Sequence, residues 1–324
     1  MFKNNLVPLD GSRCAEYALP IAARLARASH GTLILLNVVT TTLGLAPYAQ
    51  EPILVQKALD AASMRAAEYL ANITQSQQLE GIETKAVIYA GSAALTILET
   101  AAEQHADLIV MTTHEYTGFK RWAIGSVTQQ VARHSAAPVL ALRAGGTFPA
   151  SSYPDASRPL HTVTGVVALD GSELAEEAIS PAAHLVSALA APAPGLLHLV
   201  QVVQFPEIGG TPDDQRRRNR EMAINEAEDY LREVARDLRE QLEKQFHLSV
   251  TWSIVVDSDI PHALIACAEQ GKATRGAGIF GGSDILAVAT HGRGGLSRLL
   301  LGSVSEALLG RTRLPLLIVR PRQG

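Results

Sequence analysis

The sequence predicts an α/β fold: two doubly wound parallel sheets in tandem, each with helices on both faces. Three observations carry this. Short runs of Val, Ile and Leu alternate with helical patterns along the chain, and near-continuous apolar runs are what strands buried on both faces require. The order of these runs in the first half returns in the second; a repeat this long is a duplicated domain, since a solenoid unit is far shorter. The 324 residues, 47% of them hydrophobic, give length for about two domains with a core in each.

Taken in order, Leu6-Val7-Pro8-Leu9-Asp10-Gly11-Ser12 reads as a strand ending in an acidic turn, and Gly165 to Ser172 repeats it. Alanine-rich helical patterns follow, Ala15 to Ala28 and Ala175 to Leu189, each leading to another apolar run, Leu33 to Val39 and Leu197 to Val203. A longer helix comes next: Ile53 to Gln77 in the first half, and in the second a pattern in which Ala227, Leu231, Val234, Leu238 and Leu242 form a stripe at 3.6-residue spacing. Asp107 to His114 and Asp284 to His291 are matching strands, as are Ala137 to Arg143 and Leu314 to Arg320. Residues 1–145 form the first domain, residues 146–161, rich in Gly, Pro and Ser, the linker, and residues 162–324 the second domain.

Function is concentrated after Ile285-Leu286-Ala287-Val288, where Ala289-Thr290-His291-Gly292 to Gly302-Ser303 joins a strand to a helix over Val304–Arg311. Backbone N–H groups at a helix start lack intrahelical partners and carry the positive end of the helix dipole, which suits a phosphate. Gly292 and Gly302 have no Cβ, which permits positive φ and close approach of a ligand. The same residues have a ligand-free explanation, because Ser303-Val304-Ser305-Glu306 fits a capping box with Ser303 as the N-cap. Asp170 is open in the same way: it ends a strand where it can accept a hydrogen bond from a ligand, and Asp-Gly-Ser is equally a turn and cap signal.

The spacing of Gly292, nine residues, then Gly302-Ser303 resembles the signature G-x-x-G-x9-G-[ST] of the universal stress proteins, with Ala289 in place of the first glycine. The resemblance implies five-stranded, Rossmann-like domains that hold ATP beyond the carboxyl ends of the strands, where the strand order reverses. It implies contact between Asp170 and the nucleotide, main-chain groups and an apolar wall for adenine at Val202, and phosphates held by Gly292, Gly302, Ser303 and the N–H of Val304, with magnesium as a companion ion. Arg293 and Arg298 stand near enough in sequence to add charge. Asp10, Val38, Gly125 and Ser126 are the matching set in the first half. That set is expected to bind weakly or not at all, since Glu115 stands opposite Gly292 and Thr112 opposite Ala289, and Ser126-Val127-Thr128-Gln129 is itself a capping box. The resemblance further implies that the halves pair through their last strands as an internal pseudo-dimer, leaving a further homodimer open.

Other signals carry less. Gly276-Ala277-Gly278-Ile279-Phe280-Gly281 spells a dinucleotide fingerprint, but the following residues lead to the next strand rather than a helix, so Gly271 to Ser283 reads as an inserted surface loop. The basic run Arg216-Arg217-Arg218-Asn219-Arg220 is offset by Asp213, Asp214 and Glu221 and reads as a solvated helix face. A net charge of −4 offers no basic field for nucleic acid, and no uncharged apolar stretch is long enough to span a membrane. Cys14 and Cys267 fall in separate helical patterns without metal-ligand spacing, which fits a reducing cytoplasm. No P-loop, no nucleophile elbow and no base or metal pair beyond the repeated aspartates is present. A nucleotide-binding regulatory module is therefore expected ahead of a slow ATPase or phosphotransferase, or of a structural pseudo-dimer with vestigial sites.

Overall fold

The computed structural model describes residues 2–40, 52–113, 125–143, 162–204, 213–278, 280–290 and 301–321. The chain forms two compact units, Met1–Gly145 and Gly146–Gly324.

In the first unit the strands are β1 (Asn4–Leu9), β2 (Thr32–Thr40), β3 (Glu83–Gly91), β4 (Leu108–Thr113) and β5 (Val139–Arg143). They lie in the order β3-β2-β1-β4-β5, and the pairings are parallel. The second unit repeats this with β6 (Thr164–Leu169), β7 (Gly195–Val203), β8 (Leu248–Val256), β10 (Ile285–Ala289) and β11 (Leu316–Val319), in the order β11-β10-β6-β7-β8. In each unit the chain winds outward from the first strand, then crosses to its other side for the fourth. The switch point falls between β1 and β4, and between β6 and β10.

One strand has no counterpart among the described residues of the first unit. β9 (Arg275–Ala277) pairs antiparallel with β8, Trp252 opposite Ala277. Gly271 to Ser283 is thus a sixth strand with its turns, and not only the surface loop expected from the sequence. Gly271 ends the preceding helix in the left-handed region (φ 68), and Gly278 and Gly282 turn the chain with φ of 96 and 123. Arg275 fastens the strand to a helix, donating to Glu221 at 2.7 Å, Glu228 at 2.9 Å and Asn225 at 3.0 Å. Gly276 lies within β9 and no helix follows it, so the fingerprint spelled there lacks the context of a dinucleotide site.

The alanine-rich helices are each broken in two: α1 (Arg13–Glu16) and α2 (Leu19–Ser29), then α6 (Glu173–Glu176) and α7 (Ile179–Ala190). Pro20 and Pro181 account for the breaks, since proline lacks the N–H that would continue the preceding turn and is suited to a helix start. The long helices are α3 (Pro52–Thr74) and α8 (Asp213–Phe246). The remainder are α4 (Ala93–Glu103) and α5 (Ser126–His134), matched by α9 (Ile260–Gln270) and α10 (Ser303–Arg311). On one face of the first sheet Leu6, Ile34, Leu36 and Ile109 pack with Ile97 of α4 and Val131 of α5. Odd-numbered residues of β2 point to the other face, as the alternation along a strand demands.

The amino ends of the sheets are tied by a repeated aspartate. Asp107 accepts the N–H groups of Lys3 and Asn4 at 2.8 and 3.2 Å, and Asp284 accepts that of Thr164 at 2.8 Å. These carboxylates satisfy strand ends away from the carboxyl edge and have a structural task.

Candidate functional site

At the carboxyl edge of the second unit three adjacent strands end together: β10, β6 and β7, with Ala289, Asp170 and Val202 at or just beyond their ends. Asp170 is half-buried. Its Oδ1 accepts the Ser172 N–H at 3.0 Å and the Ser172 hydroxyl at 2.6 Å, Gly171 has φ 81, and the Ser172 Oγ accepts the Ala175 N–H as N-cap of α6. The turn-and-cap reading is therefore realised. It does not exclude the ligand reading, because a carboxylate has acceptor sites for both. Val202 is half-buried and is paired with Val255.

The fourth contribution is the start of α10. Here the helix begins one residue earlier than the sequence suggests: Ser303 is its first residue and Gly302 its N-cap, with no side-chain cap bond. The capping box expected at Ser303 and Glu306 is not formed, because the box needs its serine at the N-cap. Ser303 is exposed and Val304 half-buried. Glu306 is the acidic side chain in the first turn of this helix, while Gly302 at the N-cap brings no side chain of its own.

Gly302 also differs from expectation. Its φ is −60, so positive φ is not why glycine stands there. A Cβ would lie 2.6 Å from the Thr290 carbonyl oxygen, which accepts the Gly302 N–H at 3.0 Å. The glycine permits the main chain at Thr290 and at Gly302 to approach each other. A second pin lies below it, where the buried Ser305 hydroxyl donates to the Ala289 carbonyl at 3.0 Å. Gly292, Arg293, Arg298 and His291 lie outside the described residues, so the middle of the signature has no geometry to report.

The first unit assembles its set in the same way. Asp10 follows β1 and accepts the Ser12 N–H at 2.9 Å, Gly11 has φ 84, and Ser12 caps α1. Val38 lies toward the end of β2 opposite Tyr89. Gly125 is the N-cap of α5, again with no side-chain cap bond, so the box expected at Ser126 and Gln129 is also unformed. Thr128 donates to the Thr112 carbonyl at 3.2 Å, the counterpart of Ser305 on Ala289. Among the described residues the two sets match closely. Of the residues on which asymmetry was expected, Thr112 is buried near the end of β4, while Glu115 lies outside the described residues, as do His114 and the 146–161 linker.

Two features escaped the sequence reading. Tyr230 donates to Glu176 at 2.8 Å, and Tyr69 to Glu16 at 3.1 Å, tying each long helix to the short helix that follows the site aspartate. Burial first, then the charge and hydrogen bond of Glu16, and then the charge of Asp10, push the Tyr69 phenol above its ordinary range. The other is a polar cluster beneath the sheet surface: His198, 1% exposed, is bonded to the Thr251 hydroxyl at 2.7 Å and the Ser253 hydroxyl at 2.8 Å. Phe280 stacks on it at 3.8 Å between ring centroids. Burial pushes the His198 imidazole down to about 4. No sequence rule singled out either pair, since a Tyr and a Glu some fifty positions apart have no local pattern.

Among the described residues no helix is long and apolar enough to cross a membrane. The Universal stress protein family model matches residues 1–143 and 166–320. Universal stress protein YxiE of Bacillus subtilis is 29% identical over 148 residues, 44% of this chain and 100% of that relative. Universal stress protein Sll1654 of Synechocystis is 35% identical over 144 residues, 43% of this chain and 85% of that relative. A universal stress protein structure from Archaeoglobus fulgidus matches 98% of this chain and 96% of its own, with a TM-score of 0.63 and 20% identity, a likeness of fold. With the family model matching nearly the whole length in two segments and the fold repeating with it, the chain belongs to the universal stress protein family as a tandem of two of its domains.

Proposed function

We propose that this chain binds an adenine nucleotide, ATP, at the carboxyl edge of its second domain, and that it acts as a regulatory module of a stress response rather than as a catalyst. The observation that carries the reading is the convergence of Asp170, Val202 and the Gly302-Ser303 helix start on three adjacent strand ends at the switch point, where doubly wound sheets take their ligands. The helix start fits a phosphate because its N-cap is a glycine that brings no side chain, and Val202 offers an apolar surface beside a carboxylate that can meet a ribose or base. Gly292, Ser303 and the Val304 N–H take the phosphates in this reading, with magnesium bound through them rather than by a protein cage. Two unpaired cysteines suit a reducing cytoplasm.

The test is the nucleotide content of the purified full chain and its titration with ATP and magnesium-ATP. One nucleotide per chain, bound about tenfold more weakly by Asp170→Ala and as tightly as wild type by Asp10→Ala, supports the reading. Absence of binding at millimolar ATP overturns it, and turnover above buffer background with magnesium moves the chain to the slow ATPases.

A further inference from the structure

We infer that Tyr230 is a positioning residue of the second domain's nucleotide site, holding Asp170 in place through Glu176 and the short helix α6; the inference rests on the nucleotide reading above. A helix of four residues such as α6 is too short to set its own orientation. It lies against β6 and β10 with Ala175 buried, and side chains grip both of its ends. At the amino end Ser172 joins helix to turn: its hydroxyl donates to Asp170 at 2.6 Å and accepts from the Ala175 N–H at 3.3 Å. At the carboxyl end Glu176, the last helical residue, accepts the Tyr230 hydroxyl at 2.8 Å. Asp170, Ser172, α6 and Glu176 therefore form one linked series of contacts, and the Tyr230 hydroxyl ties its far end to α8.

The first domain supplies independent support. Glu16 is the last residue of α1, Tyr69 of α3 donates to it at 3.1 Å, and Ser12 caps α1 in the turn that Asp10 forms. The same link recurs at the same place on two short helices. In that domain the charge of Asp10 itself acts on the phenol, which sets tyrosine and site aspartate within one electrostatic neighbourhood. Tyr69 is too far along the chain for this to follow from local helix geometry. The arrangement gives the aspartate a second attachment besides its own strand, and that attachment runs to the long helix.

The test uses the full chain and four variants: Tyr230→Phe, Glu176→Ala, Glu176→Gln and Tyr230→Phe in an Asp170→Ala background. In the unliganded protein Tyr230→Phe quickens amide exchange at residues 171–177 and leaves the exchange of β6, β7 and β10 unchanged. Its affinities for ATP and for adenosine fall by the same factor, roughly threefold to tenfold, the scale of one hydrogen bond to a charged group passed on in part. Glu176→Ala behaves alike, while Glu176→Gln, which keeps a carbonyl acceptor for the phenol, stays within about twofold of wild type. In the Asp170→Ala background Tyr230→Phe has no further effect on affinity, an outcome that a general loss of packing does not produce. Wild-type binding that Tyr230→Phe does not alter, or an equal loss in the Asp170→Ala background, overturns the inference while leaving the nucleotide reading intact. A wild-type chain that binds neither ATP nor adenosine overturns the nucleotide reading and, with it, this one.

Discussion

At position after position the outer flank of the first domain and that of the second hold different chemistry on the same frame. In the first, Ile34 is buried and Val87 of the edge strand β3 packs against its cluster, while Lys85 and Ala86 are exposed. In the second, the register places His198 where Ile34 stands, and Thr251, Trp252 and Ser253 where Lys85, Ala86 and Val87 stand. Trp252 is 7% exposed. The inserted strand β9 makes the difference: it turns β8 from an edge strand into an interior one and brings Phe280 over His198. An edge strand without such cover carries a lysine, a usual guard against pairing with another chain. A strand that is covered can hold a tryptophan and a buried imidazole. The lesson is that one short insertion changes which residues a whole strand tolerates, leaving its pairing with β7 untouched.

Removing the insertion is the strongest way to break this comparison. Replacing Gly271–Asp284 by the short connection of the first domain, Gln104–Asp107, exposes Trp252 and His198 and opens the β8 edge. The expected loss is on the order of 3–5 kcal/mol in the second domain, as for deletion of large buried aromatics, with concentration-dependent aggregation through the freed edge. Urea unfolding of the two chains side by side, with sedimentation of the native state, reads both effects. Equal midpoints would show that β9 is ornamental to the second domain.

The next effect in size comes from acid. His198 has a folded-state value of about 4 against an ordinary 6.5, because burial disfavours the charged ring. A depressed folded value means that the unfolded chain binds the proton more readily. Stability from this group is fully present above pH 6.5 and is lost as pH falls through about 4. The loss approaches about 3 kcal/mol, because each pH step between the unfolded and folded values is worth about 1.4 kcal/mol. His198→Ile, which copies the first domain, should flatten this dependence at a cost near neutral pH from the Thr251 and Ser253 hydroxyls left behind. Midpoints at pH 7 and pH 4.5 for both chains check it; an unchanged slope in the variant would assign the acid sensitivity elsewhere.

How much of this was legible in the sequence depends on where the information is local. The inner strands were readable because apolar runs such as Leu33 to Val39 are continuous, and the repeat fixed their order. The outer strands β3 and β8 were not: Glu-Thr-Lys-Ala and Leu-Ser-Val-Thr alternate weakly, and only the family resemblance implied their existence. The split of the alanine-rich helices was written in Pro20 and Pro181, yet the apolar pattern runs through both breaks. At the candidate site, spacing and resemblance single out Asp170, Val202 and Gly302. The physical reason at Gly302, a close approach to the Thr290 carbonyl, needed coordinates. So did Tyr230 with Glu176 and His198 with Phe280, since both are contacts across elements distant in sequence.

Gly302 sharpens the comparison of the two loops. Because its Cβ would lie 2.6 Å from a main-chain oxygen, Gly302→Ala strains the main-chain approach to Thr290 before any ligand arrives. A cost of about 1–2 kcal/mol to the second domain is expected, as for a small overpacking, together with weaker ATP binding. A bulky Gly302→Gln therefore disturbs loop and site at once and is a poor probe of binding alone. Ser303→Ala is the cleaner one: its hydroxyl is exposed at the helix start, so stability should hold while ATP affinity falls a few-fold. Thermal midpoints and ATP titrations on the two variants separate the contributions, and a Gly302→Ala chain as stable as wild type would contradict the close contact.

The smallest expected effect bears on the asymmetry of the two sites. Aligning Gly125-Ser126 with Gly302-Ser303 sets Glu115 against Gly292, so the first domain carries a carboxylate at the motif position proposed for phosphate in the second. At about 5 Å and an effective dielectric near 20, two like unit charges repel by roughly 3 kcal/mol, an upper figure because a flexible side chain can turn into water. About a third of that still weakens binding several-fold. The main chain around Asp10, Val38 and Gly125 matches the second domain closely enough that nothing among the described residues forbids a nucleotide there. In the proposed reading, occupancy of the first domain is expected to turn on the loop side chains rather than on the frame. Glu115→Gly in the full chain, combined with Asp170→Ala to weaken the second site, should reveal ATP binding several-fold stronger than in Asp170→Ala alone. Lys120 and Arg121 bring the opposite charge to the same loop, so the gain should shrink as salt rises and screens both signs. If Glu115→Gly leaves the titration of the Asp170→Ala chain unchanged at every salt concentration, the difference between the domains lies in something other than charge.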